Sequence, residues 1–169
     1  MKIKIILLFL ILISCNNTNI NSSPFILIDK EITQDYKLNK IINDNEQTKD
    51  LKSFEGIYII NFWASWCRPC IDEVKYLNSF TEQNNINYII GINIFDEINE
   101  AKKFMDDNYM IYKNYYDKTK TLPIEFGVSG VPETFFMKDD KIIYKYIGKI
   151  SLDFLNIGLK KTYEYSKNN

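Results

Sequence analysis

Apolar residues recur along this chain with two different spacings. From Ile57 to Trp63 the run Ile-Tyr-Ile-Ile-Asn-Phe-Trp is apolar, β-branched and aromatic, which predicts a buried strand. From Ile71 to Gln83 the spacing changes. Val74, Leu77 and Phe80 fall on one face at helical intervals, so a helix is expected directly after the strand. The alternation repeats downstream. Ile86 to Phe95 predicts a second strand beyond a turn at Asn84-Asn85, and Glu97 to Asp107 a second helix with Ile98, Ala101, Phe104 and Met105 inward. Tyr109 to Tyr116 contains a short strand, and Lys118 to Phe126 a short helix that Pro123 must start or interrupt. Glu133 to Lys138 and Ile142 to Ile147 flank Asp139-Asp140, a hairpin signal, and Leu152 to Tyr163 closes the chain as an amphipathic helix. Ahead of the central strand only Phe25 to Ile28 reads as a strand. Residues 29–50 are polar, with Ile32, Leu38, Ile41 and Ile42 as scattered anchors. Strand–helix–strand–helix followed by a hairpin and a helix predicts an α/β fold, a central mixed sheet flanked by helices on both faces.

The N-terminus has another kind of hydrophobicity. Lys2 and Lys4 precede an unbroken apolar run, Ile5 to Ile13. That run is short of the roughly 20 apolar residues needed to span a bilayer and suits the core of a secretory signal. It ends Leu12-Ile13-Ser14-Cys15, which resembles the bacterial lipobox. The resemblance implies that residues 1–14 are a lipoprotein signal peptide and that Cys15 becomes the lipid-bearing first residue. An ordinary cleaved signal with a stray cysteine is the alternative. The polar stretch 15–23 then reads as a flexible tether, and 24–169 as one domain. The domain is expected outside the cytoplasm, in the cell envelope, held to a membrane through its lipid.

Charge excludes one class of partner. The net formal charge of −1, or −3 once Lys2 and Lys4 are removed, gives no basic surface for nucleic acid.

Three cysteines and no histidine bring in the chemistry. Cys67-Arg68-Pro69-Cys70 sits at the turn from strand to helix. Cys67 is thereby placed at a helix N-terminus, where free backbone N–H groups and the helix dipole favour a thiolate. Arg68 adds positive charge, and Pro69 fits a first helical turn, where its missing N–H costs nothing. A thiolate attacks disulfides, and a second cysteine one turn on can resolve the mixed disulfide. Cys67 is expected to be the exposed nucleophile and Cys70 the buried resolving thiol. A structural zinc site usually takes four ligands, and the chain offers no histidine and no second cysteine pair. A purely structural bridge across so small a ring would remove little chain entropy. A Cu(I) chaperone would use soft thiolates, but no histidine or clustered methionine supports the pair. The redox-active cysteine pair is expected to work without a further cofactor.

Three segments resemble the thioredoxin superfamily: Asn61 to Cys70, Gly91-Ile92-Asn93, and Gly127-Val128-Ser129-Gly130-Val131-Pro132-Glu133-Thr134-Phe135-Phe136. The last is similar to the TlpA/DsbE/CcmG-type (ResA-like) thiol–disulfide oxidoreductases. With the matching element order the resemblance covers most of residues 50–165, and residues 95–126 supply the insertion it implies. It implies a thioredoxin-like fold and a membrane-tethered protein disulfide reductase serving cytochrome c maturation. Its partners would be protein thiols and disulfides, apocytochrome c or its maturation factors among them, and a membrane thiol-reducing donor. A general oxidant or isomerase for exported proteins, and a non-catalytic binding lipoprotein on the same fold, are the alternatives. By the same resemblance Pro132 is a cis-proline facing the dithiol, and Val131 presents backbone to an extended substrate. Glu73 is an acid near the buried cysteine, able to exchange its proton, with a solvent-facing charge as the alternative. Asn61 stands where thioredoxin has a buried aspartate. Trp66, Arg68, Pro69, Val131 and Glu133 are expected to line the substrate groove, Trp66 shielding the site, while Trp63 belongs to the core; for Glu133 a strand residue facing water is the alternative.

Overall fold

In the computed structural model, which describes residues 23–41, 47–84 and 89–169, the apolar run Ile57–Trp63 forms the central strand β4. The preceding segment supplies β1 (Phe25–Glu31), β2 (Lys37–Lys40) and β3 (Thr48–Asp50). After β4 come α1 (Arg68–Asn84), β5 (Ile89–Asn93), α2 (Ile98–Asp107), β6 (Lys113–Tyr116), α3 (Leu122–Phe126), β7 (Glu133–Lys138), β8 (Lys141–Ile147) and α4 (Leu152–Asn168). Among the described residues these strands form one sheet in the order β1-β8-β7-β4-β5-β6-β2-β3. β4, β5 and β6 run parallel, while β7 returns antiparallel to β4 and β8 antiparallel to β7. The mixed α/β sheet read from the sequence is therefore present.

Alternate residues of β4 divide the core. Tyr58, Ile60 and Phe62 face one side, where Leu122 and Phe126 of α3 and the buried Ile32, Leu38 and Leu51 pack. Ile59 faces the other, against Leu77 and Phe80 of α1 and Leu155 of α4. Trp63 shares that side at the end of the strand, stacked on Phe104 of α2 at 5.0 Å between ring centroids. Helices thus cover both faces, and the Cys67–Cys70 turn leaves the sheet at the end of β4, in which all residues after Ile57 are buried.

Several boundaries differ from the sequence expectation. α1 begins three residues earlier than Ile71, because Arg68 and Pro69 already have helical geometry in the first turn. Asn84 ends α1 instead of forming a turn. The described part of the second predicted strand stops at Asn93; Phe95 is exposed with a left-handed φ of 67°. α3 is shorter than residues 118–126. The Asp117 carboxylate accepts from Thr119 and from the Leu122 N–H, so the chain turns there before the helix starts. Cys15, Ile42, Asn85 and the expected signal and tether segments through residue 22 lie outside the described residues. Among the described residues no helix is long and apolar enough to cross a membrane.

Candidate active site

The parallel ladder of β4 and β5 ends where Trp63 pairs with Asn93, and its last backbone bond runs from the Ile94 N–H to the Trp63 carbonyl at 3.0 Å. The chain then turns through Ala64-Ser65-Trp66, with the Cys67 N–H donating to the Ala64 carbonyl at 3.2 Å. α1 follows at once. Cys67 and Cys70 are joined in a disulfide, their Cα atoms 5.3 Å apart. The Cys70 N–H, in the first turn of the helix, is shared between the Cys67 carbonyl at 3.1 Å and Cys67 Sγ at 3.2 Å. A donor and the positive end of the helix dipole therefore meet the Cys67 sulfur, surroundings that favour a thiolate over a thiol.

Burial around this turn corrects the expected exposure of Cys67. Cys67 is only 3 % exposed and Cys70 1 %. In the disulfide state Cys67 is covered because Trp63, Ala64, Val74, Phe104 and the half-buried Val131 pack in the same cluster. Trp66 stands 66 % exposed on the rim, with Arg68 and Pro69 also exposed. The Val131-Pro132 peptide is cis, and the Pro132 carbonyl accepts from the Gly148 N–H at 2.9 Å. Val131 brings this segment against the cysteine cluster.

Glu73 lies on the inward face of α1, one turn after Cys70, and is fully buried, so the solvent-facing alternative does not hold. Its Oε1 accepts from Asn61 Nδ2 at 2.9 Å, and its Oε2 from the Ile150 N–H at 3.1 Å. Asn61 Nδ2 also donates to Thr134 Oγ1 at 3.2 Å, while Asn61 Oδ1 has no partner among the described residues. Burial pushes the Glu73 carboxyl up to about 8, and the two hydrogen bonds and nearby Lys149 oppose that rise only in part. A carboxyl held near neutrality is suited to give and take a proton at ordinary pH.

Glu133 does not line an open groove. It is 1 % exposed and faces inward, because β7 is covered on both faces. Its Oε1 accepts from the Ser129 N–H at 3.1 Å and from the Ser129 hydroxyl, and its Oε2 sits 2.7 Å from Lys145 Nζ. Lys145, nearly buried on β8, also donates to the Gly127 carbonyl at 2.7 Å and lies 5.3 Å over the Phe135 ring. Together they fasten the Gly127–Gly130 loop ahead of Pro132.

Sequence reasoning missed Lys145 and two further groups. Trp63 Nε1 donates to Asn114 Oδ1 at 2.9 Å across β5, directly over Gly91. A Cβ on Gly91 would collide with both side chains, which gives that glycine its reason. Asp96, 1 % exposed, accepts from Ser65 and Asn93 beneath the active-site turn. Nothing local marks Asp96 or Lys145, because Ser65 reaches Asp96 from 31 residues away and Glu133 and Gly127 meet Lys145 only through the pairing of β7 with β8.

Comparisons with known proteins agree with this geometry. A model of the AhpC/TSA family matches residues 30–146. The chain is similar to a thiol:disulfide interchange protein DsbE of Vibrio cholerae, 33 % identical over 97 residues, covering 55 % of this chain and 50 % of that protein. It is also similar to the thiol:disulfide interchange protein CycY of Rhizobium leguminosarum, 32 % identical over 105 residues, covering 61 % and 54 % respectively. The chain thus spans about half the length of these curated relatives. A solved structure of a putative thiol:disulfide interchange protein DsbE from Chlorobium tepidum superposes with a TM-score of 0.67 at 20 % identity, covering 81 % of this chain and 99 % of that one. The fold is thioredoxin-like.

Proposed function

The chain belongs to the AhpC/TSA family, and on that footing we propose that it is a thiol–disulfide oxidoreductase acting on cysteines of other proteins. The observation that carries this reading is the Cys67–Cys70 pair at the start of α1, with a backbone donor on Cys67 Sγ and the Val131-Pro132 segment packed beside it. In the reduced enzyme the Cys67 thiolate attacks a substrate disulfide. A mixed disulfide forms and one substrate thiolate leaves. Cys70 then loses its proton and attacks Cys67 Sγ, which closes the internal disulfide and releases the second substrate thiolate. Two electrons pass to the substrate, which becomes a dithiol. Glu73 in its ionised form, a minor fraction at pH 7 that grows as the pH rises toward about 8, is the group that takes the Cys70 proton, since it sits one turn away on the same helix face. Trp66, Arg68, Pro69 and Val131 present the rim on which an extended substrate docks, and no cofactor beyond the dithiol is required.

The direction proposed is reductive, toward apocytochrome c or its maturation factors. The Gly-Val-x-Gly-x-Pro-Glu-Thr-Phe segment, through its resemblance to the TlpA/DsbE/CcmG-type oxidoreductases, supports it, and the names of the DsbE and CycY relatives support thiol–disulfide interchange. The lipobox-like Leu12 to Cys15 supports a lipid tether that holds the domain outside the cytoplasm. An envelope reductant works against oxidising surroundings and needs a membrane thiol donor to recharge it. The test is covalent trapping. Cys70→Ser blocks resolution, so mixed disulfides through Cys67 should accumulate in cells and disappear on addition of a reductant. Partners enriched in cytochrome c and its maturation proteins are expected. Partners drawn broadly from exported proteins would make it a general oxidant or isomerase, and absence of any adduct would remove the enzymatic reading.

A further inference from the structure

The backbone ladder between β4 and β5 stops at the bond from the Ile94 N–H to the Trp63 carbonyl. Two residues later the Ser65 N–H lies beyond the ladder, where no backbone carbonyl among the described residues accepts from it. Instead it donates to Asp96 Oδ2 at 2.6 Å, and the Ser65 hydroxyl donates to Asp96 Oδ1 at 3.0 Å. Both Asp96 oxygens are therefore spent on one residue of the turn. Asn93 Nδ2 donates to Oδ2 at 2.6 Å, so the carboxylate is itself tied to the last residue of β5. The adjoining Phe95 carries a left-handed φ of 67° with an exposed ring. A bulky residue seldom adopts that conformation unless its surroundings over-determine it. Here the reversal at Phe95 is what brings Asp96 back beneath Ser65.

We infer that Asp96 is a positioning residue: through Ser65 it holds the Ser65-Trp66-Cys67 turn in the geometry of the closed disulfide after the sulfur–sulfur bond is broken. The inference rests on the reading of Cys67 and Cys70 as a reversible dithiol. Once the pair is reduced, no covalent link fixes Cys67 relative to Cys70. The Cys67 side of the site is then held by the Ala64 to Cys67 backbone bond, the helix start, the cluster packing and the Asp96 tie. Thiols already in place close with less loss of freedom, so the tie favours the disulfide and makes the dithiol the stronger reductant. Asp96 touches neither sulfur nor substrate and acts only through Ser65.

The test is the equilibrium between the dithiol and glutathione. Glutathione disulfide is cleaved to two thiols as the two enzyme thiols give up two protons and two electrons to form the Cys67–Cys70 bond. Asp96→Ala should lower this equilibrium constant about tenfold, which is about 30 mV toward a less reducing potential. Asp96→Asn should stay within about twofold of the wild type, because an amide can keep all three bonds: its oxygen accepts from the Ser65 N–H and Asn93, and its NH2 donates to the Ser65 hydroxyl. If Asp96→Ala does not fold, Ser65→Ala, which loses one of the three bonds, should give about a threefold shift in the same direction. Loss of thermal stability with an unchanged equilibrium constant would leave Asp96 a structural residue and overturn the inference. So would Asp96→Asn shifting as far as Asp96→Ala, since the effect would then follow charge and not position. A wild type that fails to equilibrate with glutathione would instead overturn the dithiol reading itself.

Discussion

Replacing Glu73 by glutamine should change how the stability of the oxidised protein depends on pH. Glu73 is fully buried, and its carboxyl is pushed from the usual 4.5 up to about 8. The folded state therefore binds a proton that the unfolded chain releases above pH 4.5. Below pH 4.5 both states hold the proton and Glu73 costs nothing. Between 4.5 and about 8 the wild type loses stability with rising pH at about 1.4 kcal/mol per pH unit, and above 8 the loss levels off. Across that window the penalty approaches about 5 kcal/mol, a large share of the 5–15 kcal/mol that typically holds a domain together. Glutamine cannot ionise. It also has somewhere to put its NH2: a flip of the Asn61 amide turns its partnerless Oδ1 toward position 73, while the Ile150 N–H keeps an acceptor. Denaturant unfolding of the oxidised wild type and Glu73→Gln, run from pH 5 to pH 9, should show curves that diverge by several kcal/mol toward the alkaline end, with the variant the more stable. Keeping the disulfide closed removes the thiols from the titration. Parallel pH profiles for the two proteins would refute the reasoning, because Glu73 would then titrate alike in folded and unfolded chains.

Two further outcomes follow from other parts of the molecule. Lys145→Met leaves Glu133 buried without its cation and should cost about 3–5 kcal/mol in denaturant unfolding, whereas Glu133→Leu combined with Lys145→Met should recover most of that loss; additive losses would contradict the pairing. Cys15→Ala should shift the protein from the membrane to the soluble fraction or leave it unprocessed on fractionation of cells, and unchanged membrane partition of a processed variant would remove the lipid tether.

The parts of the fold that local pattern dictates were legible. β4 is a continuous apolar run and α1 carries a 3.6-residue stripe, so the sequence places Cys67 and Cys70 at their junction without any long-range information. β2 and β3 were not legible. Lys-Leu-Asn-Lys and Thr-Lys-Asp bury little besides Leu38 and Asn39; β2 is a strand because Asn39 and Lys40 pair with Tyr116 and Tyr115 of β6, and β3 because it pairs with β2 in turn. Glu133 shows the same limit. β7 is buried on both faces, so alternation carries no signal about which way Glu133 points, and its counter-charge arrives from β8. Glu73 falls on the apolar face of α1 at three residues from Cys70, so its position could be read, but only the enclosing β4, β7 and Ile150 backbone decide that it is dry. Exposure of Cys67 is what its expected role as the attacking nucleophile calls for, and the local sequence carries nothing against it. α2 and the Val131-Pro132 segment, more than 30 residues away in sequence, close over it.

The measurement that bears most directly on the proposed role is the equilibrium reduction potential of the Cys67–Cys70 pair, read by thiol alkylation and mass spectrometry across a series of glutathione or dithiothreitol buffers. A reductant of the kind proposed should titrate as a single reversible two-electron couple nearer to thioredoxin, about −270 mV, than to the strong oxidant DsbA, about −120 mV. A potential close to that of DsbA would contradict the reductive role, and a pair that does not open reversibly at all would contradict the oxidoreductase reading.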